Sequence, residues 1–450
     1  MLNKYTLAFV LFISFLFSAP AQEQSGFRFL NIKSKKTKVK FRLINNLIVI
    51  PVNINGKNLS FILDTGVSKT ILFNLSSSDS LRIKGVEETN LLGLGAGKPV
   101  ASLISKGNTL RIKDIISKNE PIYVLVKDRF DLSAKMGITI NGIIGYRLLK
   151  DLPVKLDYNN KTITFYNRLT TDLSVCKKCQ VLPMELLNNK PYINLQAQLD
   201  TVGNKMTDIK VLIDSGGSDA AWLFEHTKKN IVTPKLYFRD ILGEGLSGTI
   251  YGNRSRIPKL NLGRFEIISP TVSFLDSVST SIARRIKDRN GSVGGNILKR
   301  FKIWFDYRNR TVVFKKAKSL KGGFNYNMSG LEVIHNGKRL VKVKEYDKAV
   351  GGYDTKSATA ADNSITILTR YRFKFRPSYV INDVIKGSPA DEVGLLPNDV
   401  IISLNRKPAH TLKLSDINNI FQDSDNKRIT MLVERGKKRL SFKFRLRKKI

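Results

Sequence analysis

Two carboxylates stand in matching surroundings. Asp64 lies in "FILDTGVSKTILF" (residues 61–73) and Asp214 in "VLIDSGGSDAAWLF" (residues 211–224). Each follows an apolar run and precedes a small hydroxyl residue and a glycine: Thr65 and Gly66 in the first case, Ser215 and Gly216 in the second. A carboxylate among apolar neighbours loses its hydration, which is costly unless other groups replace it. Two such groups brought together offer a solution. Side by side they cannot both ionise cheaply, so one keeps a proton while the other is an anion. An adjacent acid and base can activate a water and polarise a carbonyl in one step. The proton belongs to the pair, so neither residue is assigned as base or acid alone.

The elements that must hold these residues also occur twice. Residues 141–165, "NGIIGYRLLKDLPVKLDYNNKTITF", align without a gap on residues 290–314, "NGSVGGNILKRFKIWFDYRNRTVVF". Asn141, Gly142, Gly145, Leu149, Lys150, Asp157, Tyr158, Thr162 and Phe165 all recur as the same residue type. Each segment ends as an apolar strand, a polar turn and a second apolar strand, the pattern of a hairpin. Upstream of each Asp, residues 45–63 and 190–213 read as strand, turn, strand. Helical periodicity is scarce, with short pieces expected at 145–151, 294–300 and 280–288. Landmarks recurring in one order mark an internal duplication. Two β-rich lobes are expected, at 27–170 and 182–318, joined by a linker at 171–181.

These motifs resemble the pepsin and retropepsin superfamily of aspartic proteases. The resemblance rests on Asp64-Thr65-Gly66 and Asp214-Ser215-Gly216, each with a downstream glycine element: Ile143-Ile144-Gly145, and Val293-Gly294 after Ser292. It implies a mainly β, two-lobed fold with an internal pseudo-two-fold axis. It further implies that Asp64 and Asp214 are catalytic and that Thr65 and Ser215 brace the two turns against each other. Gly66 and Gly216 would let backbone N–H groups approach the carboxylates. No cofactor and no metal is implied, and one chain supplies both lobes, so the catalytic unit is expected to be a monomer. The sequence departs from pepsin-like enzymes directly after each triad, where Val67 and Gly217 replace a hydroxyl residue. Fewer donors to the carboxylates should raise the dyad's pKa values and place activity at mildly acidic to neutral pH. Ser292, in place of an apolar residue, casts doubt on packing in the second lobe.

Glycine-rich hairpins follow both triads, "LLGLGAGKP" at 91–99 and "LGEGLSGTIYG" at 242–252. By resemblance they are flaps that close over an extended peptide, with Gly93, Gly95, Gly97, Gly243, Gly245 and Gly248 giving them freedom to bend. "IDSGGSD" also resembles the nucleophile turn of trypsin-like serine proteases. That mechanism needs a histidine ahead of the serine, and His226, His335 and His410 all follow Ser215. With no H-E-x-x-H, a metalloprotease is excluded too.

From about residue 322 the pattern changes. "YVINDVIKGSPADEVGLLPNDVIISLNRKPA" (379–409) resembles the core of a bacterial PDZ domain, giving a third domain at 322–450. Such domains bind extended peptides by strand addition and capture a terminal carboxylate on backbone amides. "MSGLEV" (328–333), with Ser329, Gly330 and Leu331, is the favoured carboxylate loop, "FKFRPSY" with Arg376 the alternative. Residues 414–421 form the opposite wall. Asp399 is read as satisfying backbone in a turn. The stretch 345–366 is small and polar and reads as an exposed insertion.

Composition bounds the rest. The chain has 450 residues, 76 Lys and Arg against 37 Asp and Glu, and a formal charge of +39. That charge favours anionic partners. Yet the basic residues are scattered and no nucleic-acid motif appears, so a solvated basic surface is the default and no nucleic-acid partner is expected. Residues 1–21 read as a signal peptide cut after Ala21, too short in its apolar run for an anchor. The protein is therefore expected to be exported, periplasmic or secreted, without a transmembrane anchor. In an oxidising compartment Cys176 and Cys179 are expected to pair locally. Residues 22–40 read as a short prosegment or a first strand. Together these features describe an exported aspartic endopeptidase acting on protein or peptide substrates, with the PDZ domain binding C-terminal peptides. The competing readings are a catalytically silent peptide-binding scaffold and a chaperone-like binder, and the latter explains neither Asp.

Overall fold

The computed structural model describes residues 26–75, 81–93, 99–125, 131–167, 176, 178–200, 202–348 and 367–450. The proposed signal peptide lies outside them. Among the described residues the strands form four sheets, one for each lobe, one shared between the lobes and one in the C-terminal domain.

In each lobe the strand entering the Asp64 or Asp214 turn is flanked by a short strand from much later in the chain. Gly142–Ile144 runs parallel to Lys57–Leu63 and antiparallel to Thr70–Leu72, with Ile143 opposite Ile62 and Ile71. Arg289–Val293 does the same between Met206–Ile213 and Ala221–Phe224, with Ser292 opposite Leu212 and Trp222. Ser292 is buried and keeps the pairing that Ile143 has in the other lobe, so the doubt over packing there is removed. These inserted strands need glycine. A Cβ on Gly142 would lie 2.4 Å from the Ile71 carbonyl oxygen, and one on Gly291 would lie 1.9 Å from that of Trp222.

The two repeated hairpins pair with each other. Val154–Asp157 runs antiparallel to Phe301–Asp306, with Leu156 opposite Ile303, at the centre of a six-stranded sheet spanning both lobes. Its edges are Lys36–Lys40 and Cys179–Pro183. Residues 36–40 are therefore a strand, preceded by a two-residue strand at Arg28–Phe29 in the first-lobe sheet. Residues 179–181, expected in the linker, belong to the sheet and pair with Val313–Lys315. Fully buried Leu156, Phe165, Phe305 and Phe314 make this sheet the floor beneath both lobes. Burying such side chains is worth roughly 1.5–3 kcal/mol each. Cys176 and Cys179 are joined as a disulfide.

Short helices occur at Tyr146–Leu149 and Gly295–Leu298, with a 3-10 turn at Ala283–Arg285, within the expected pieces. One further helix, Leu132–Met136, was not anticipated. The Asp131 carboxylate caps its start by accepting from the Ala134 N–H, and Gly137 ends it in the left-handed region.

The C-terminal domain is a sheet with helices Pro389–Glu392 and Leu414–Phe421 packed on it around Ile381, Leu395, Ile417, Met431 and Val433. Its first two strands are long: Leu331–Lys348 and Ile367–Val384 pair as an extended two-stranded ribbon. The expected insertion thus begins inside a strand, and residues 349–366 lie outside the described residues.

Candidate active site

The two aspartate-bearing turns meet at the lobe interface. The Asp64 N–H donates to the Ile144 carbonyl at 2.9 Å, and the Asp214 N–H donates to that of Val293 at 2.9 Å, so each inserted strand fixes one turn. Gly145 and Gly294 then let the backbone cross directly over it. A Cβ on Gly145 would lie 2.0 Å from the Asp64 carbonyl oxygen, and one on Gly294 would lie 2.5 Å from that of Asp219.

Thr65 and Ser215 lock the turns together, and both are fully buried. The Thr65 N–H donates to Ser215 Oγ at 3.0 Å, and the Ser215 N–H donates to Thr65 Oγ1 at 2.9 Å. Each hydroxyl passes its own proton across the interface, Thr65 Oγ1 to the Ile213 carbonyl at 2.6 Å and Ser215 Oγ to the Leu63 carbonyl at 2.8 Å. Three polar groups from each side (an N–H, a hydroxyl and a carbonyl) are joined by these four hydrogen bonds across the interface, which makes the pairing specific as well as stable.

This grip brings Asp64 and Asp214 side by side, both partly exposed. The Gly66 N–H donates to Asp64 Oδ1 at 2.7 Å and the Gly216 N–H to Asp214 Oδ1 at 3.0 Å. A Cβ on Gly66 would lie 3.0 Å from Asp64 Oδ1 and 3.1 Å from Asp214 Oδ1, and one on Gly216 would lie 2.2 Å from Asp64 Cγ. Burial pushes the Asp64 carboxyl up to about 8 and the facing Asp214 charge adds to it, while the Gly66 N–H and the Lys190 charge pull it back. The raised value agrees with the expectation from Val67 and Gly217, although its leading cause is desolvation rather than the missing hydroxyls.

Sequence reasoning missed several neighbours of this pair. Lys190 carries a charge that acts on both aspartates, and burial, followed by the Arg289 charge, lowers its pKa. Arg289 is buried, with its guanidinium 5.0 Å from the Phe224 ring centroid and 5.6 Å from that of Tyr192. The repeat held a signal for both. Lys190 stands where the first lobe has Leu47, and Arg289 where it has Ile140, so a charge replaces an apolar residue each time. Tyr158 and Tyr307, also repeat partners, are buried, and their hydroxyls have no hydrogen-bond partner among the described residues. Burial raises both, followed by the charge of Asp214 on Tyr158 and of Asp64 on Tyr307.

The hairpins after the triads touch. A Cβ on Gly93 would lie 2.5 Å from Leu246 Cβ, and the Gly93 N–H donates to Ser247 Oγ at 3.4 Å. Gly243, Gly245 and Gly248 lie in the second hairpin, Phe238–Gly245 paired with Gly248–Arg256, and Gly243 and Gly248 have positive φ. Gly95 and Gly97 lie outside the described residues. Within the second lobe Arg254 joins Asp219, close to the Asp214 turn, to Asp240 of the hairpin at 3.0 and 2.7 Å.

A cleft of about 660 Å³ starts beside Gly216 and Gly217, passes the hairpin at Glu244 and ends between Leu331 and Asn418. Those last residues line the peptide groove expected of the C-terminal domain. Lys135, on the unanticipated helix, reaches both Glu244 at 2.7 Å and Glu332 at 3.0 Å. Burial alone would lower its pKa, but the two carboxylates hold it above the ordinary lysine value. In the carboxylate loop Gly330 has φ +83, and a Cβ there would lie 2.2 Å from Ser388 Oγ. The loop also closes on itself: the Ser329 N–H donates to Asn327 Oδ1 and the Leu331 N–H to Ser329 Oγ. Arg376 lies on the ribbon opposite Arg339, well along the strand from this loop. Asp399 accepts the Leu396 N–H at 3.0 Å and takes a two-pronged contact from Arg435, as a structural residue would.

Comparison with known proteins agrees with this geometry. Residues 50–148 match the family model described as aspartyl protease, and residues 380–435 match the PDZ domain model. An aspartic proteinase from Irpex lacteus is similar in structure at a TM-score of 0.42 and 13% identity, covering 64% of this chain and 99% of that one, a likeness too distant to carry weight. No curated protein matches the chain. The chain is thus a mainly β protein with an aspartic-protease-like unit followed by a PDZ domain.

Proposed function

We propose that this protein is an exported endopeptidase that hydrolyses peptide bonds with a water activated by the Asp64–Asp214 dyad, and that its PDZ domain selects or tethers protein substrates. The ionised carboxylate takes a proton from the water as its oxygen attacks the scissile carbonyl carbon. The protonated carboxyl gives its proton to the carbonyl oxygen, forming a neutral tetrahedral diol. Collapse returns a proton to the dyad and delivers another to the leaving amine, so the pair ends as it began. The reaction consumes only water.

The observation that carries this reading is the reciprocal Thr65–Ser215 grip, which sets two carboxylates from separate lobes side by side, next to a cleft lined by Gly216 and Gly217. A fold kept only for binding would have no need of both. The PDZ role is supported by the groove's place at the far end of the same cleft.

The test is cleavage of a mixed peptide library between pH 3 and 8 by the mature chain, Asp64→Asn and Asp214→Asn. Loss on either substitution is expected. A wild type that cuts nothing at any pH, with or without its PDZ domain, would instead favour the silent scaffold.

A further inference from the structure

We propose that Lys190, backed by Arg289, selects substrates with an acidic side chain on one side of the scissile bond. The inference rests on the reading of Asp64 and Asp214 as the cleaving pair and names the substrate class. It starts where the two lobes differ. In each lobe a turn of two asparagines with positive φ, Asn45-Asn46 or Asn188-Asn189, leads into the strand beside the aspartate strand. Leu47 closes the first turn opposite Ile44, and Lys190 closes the second opposite Leu187. Further along, Val49 pairs with Ile62 and Tyr192 with Leu212, each partner two residues ahead of its aspartate. Continuing both registers sets Leu47 level with Asp64 and Lys190 level with Asp214. In the first lobe Leu47 lines the cleft and packs with Val49, Phe73 and Ile140 in one apolar cluster. The matching residues of the second lobe are Lys190, Tyr192, Phe224 and Arg289. Two cations thus replace apolar residues in one layer, with the Arg289 guanidinium against the Phe224 and Tyr192 rings.

The pseudo-two-fold axis sets Leu47 and Lys190 on opposite sides of the dyad. An extended peptide lying across it meets an apolar wall on one side and an ammonium on the other. Charge balance names what the ammonium takes. Neither cation forms an ion pair among the described residues; Asp64 and Asp214 are the carboxylates whose charge acts on Lys190, and Asp214 the one acting on Arg289. A dyad holding one proton carries one negative charge, so two cations face one anion. Lys190 is half-buried, and water reaches it in the free protein. A bound substrate displaces that water, and a buried charge without a partner is costly. A substrate carboxylate offsets the loss, an apolar side chain leaves it in place, and a basic one adds repulsion. The alternative role, in which Lys190 only tunes Asp64, predicts no preference among substrates.

The experiment gives the full mature chain one peptide series with Glu, Gln or Lys at each of the two residues on either side of the central bond. A parallel series carries an uncleavable hydroxyethylene group at that bond and is read by calorimetry. The expected result is a kcat/KM at least about tenfold higher for Glu than for Gln at a position on one side only, with Lys poorer than Gln. Lys190→Leu, which copies the first lobe, should bring Glu and Gln within about twofold of each other. Equal rates for Glu and Gln in the wild type would overturn the proposal, whatever the variant does. So would a Lys190→Leu chain that shifts the pH profile yet keeps the Glu preference, which would confine Lys190 to tuning the dyad. The hydroxyethylene series separates this inference from the reading beneath it. Tighter binding of Glu than Gln without any cleavage would sink the peptidase and leave the acidic-side-chain site standing, whereas cleavage without the preference would do the reverse.

Discussion

Thr65 and Ser215 each accept the other's backbone N–H, at 2.9 and 3.0 Å, across the interface of two lobes. The contact is symmetric because each residue directly follows one of the paired aspartates, Asp64 or Asp214, and each hydroxyl also reaches a carbonyl of the opposite lobe. Thr65→Ala would leave the Ser215 N–H and the Ile213 carbonyl unpaired in a dry interface. A buried unpaired group costs roughly 1–3 kcal/mol, so with two such groups a loss of about 2–6 kcal/mol is expected. Thr65→Ser should retain most of the stability. Urea unfolding of the three proteins checks this, and equal midpoints would contradict it.

The Asp64 carboxyl, pushed up to about 8 from an ordinary 3.8, has a consequence for pH. Between those values the folded chain holds a proton that the unfolded chain releases. Stability therefore falls as pH rises through that window, and Asp64→Asn should flatten the slope. Activity, which needs one proton on the pair, should persist to near neutral pH and decline at about pH 8. Thermal unfolding and peptide cleavage against pH test both limbs. An optimum below about pH 3.5, under the unperturbed carboxylate value, would refute the raised-pKa account.

Neighbouring glycines make a sharp contrast. A Cβ on Gly216 would lie 2.2 Å from Asp64 Cγ, whereas one on Gly217 would lie 3.6 Å from Asp214 Cγ, an ordinary contact. Gly216→Ala should abolish activity by displacing Asp64, and Gly217→Ala should be tolerated. Gly217→Ser would place a hydroxyl within reach of the Asp214 carboxylate, and the activity profile should move toward acid pH. An unmoved profile in Gly217→Ser would show that a donor there does not tune the dyad.

Lys135 ties three parts of the molecule together, one helix of the first lobe, the second-lobe hairpin at Glu244 and the PDZ strand at Glu332. Lys135→Met would leave two partly buried carboxylates facing an apolar side chain. The expected cost is about 1–3 kcal/mol, with faster amide exchange in residues 238–256 and in the PDZ groove together. Exchange that rises in only one of the two would show that Lys135 does not couple them.

The sequence made the chemistry more legible than its surroundings. Asp64, Thr65 and Gly66 were readable because a duplicated turn tolerates few residue types, and Gly145 and Gly294 because backbone passes where a Cβ would sit. Neighbouring charges were harder to see, since Lys190 and Arg289 act through space and lie far from the triads in the chain. The helix Leu132–Met136 is too short to show periodicity and is set by its Asp131 and Gly137 caps. The strand at Lys36–Lys40 and the contact of Gly93 with Leu246 depend on partners distant in sequence, which no local pattern reports.

The most direct test of the central claim compares cleavage rates of the wild type, Asp64→Asn, Asp214→Asn and the double variant on one susceptible peptide. A shared dyad predicts that each single substitution lowers the rate by about a thousandfold or more and that the double variant is scarcely slower than either, because residues acting as a unit are not additive. A single variant that keeps the wild-type rate, or losses that multiply in the double variant, would contradict it.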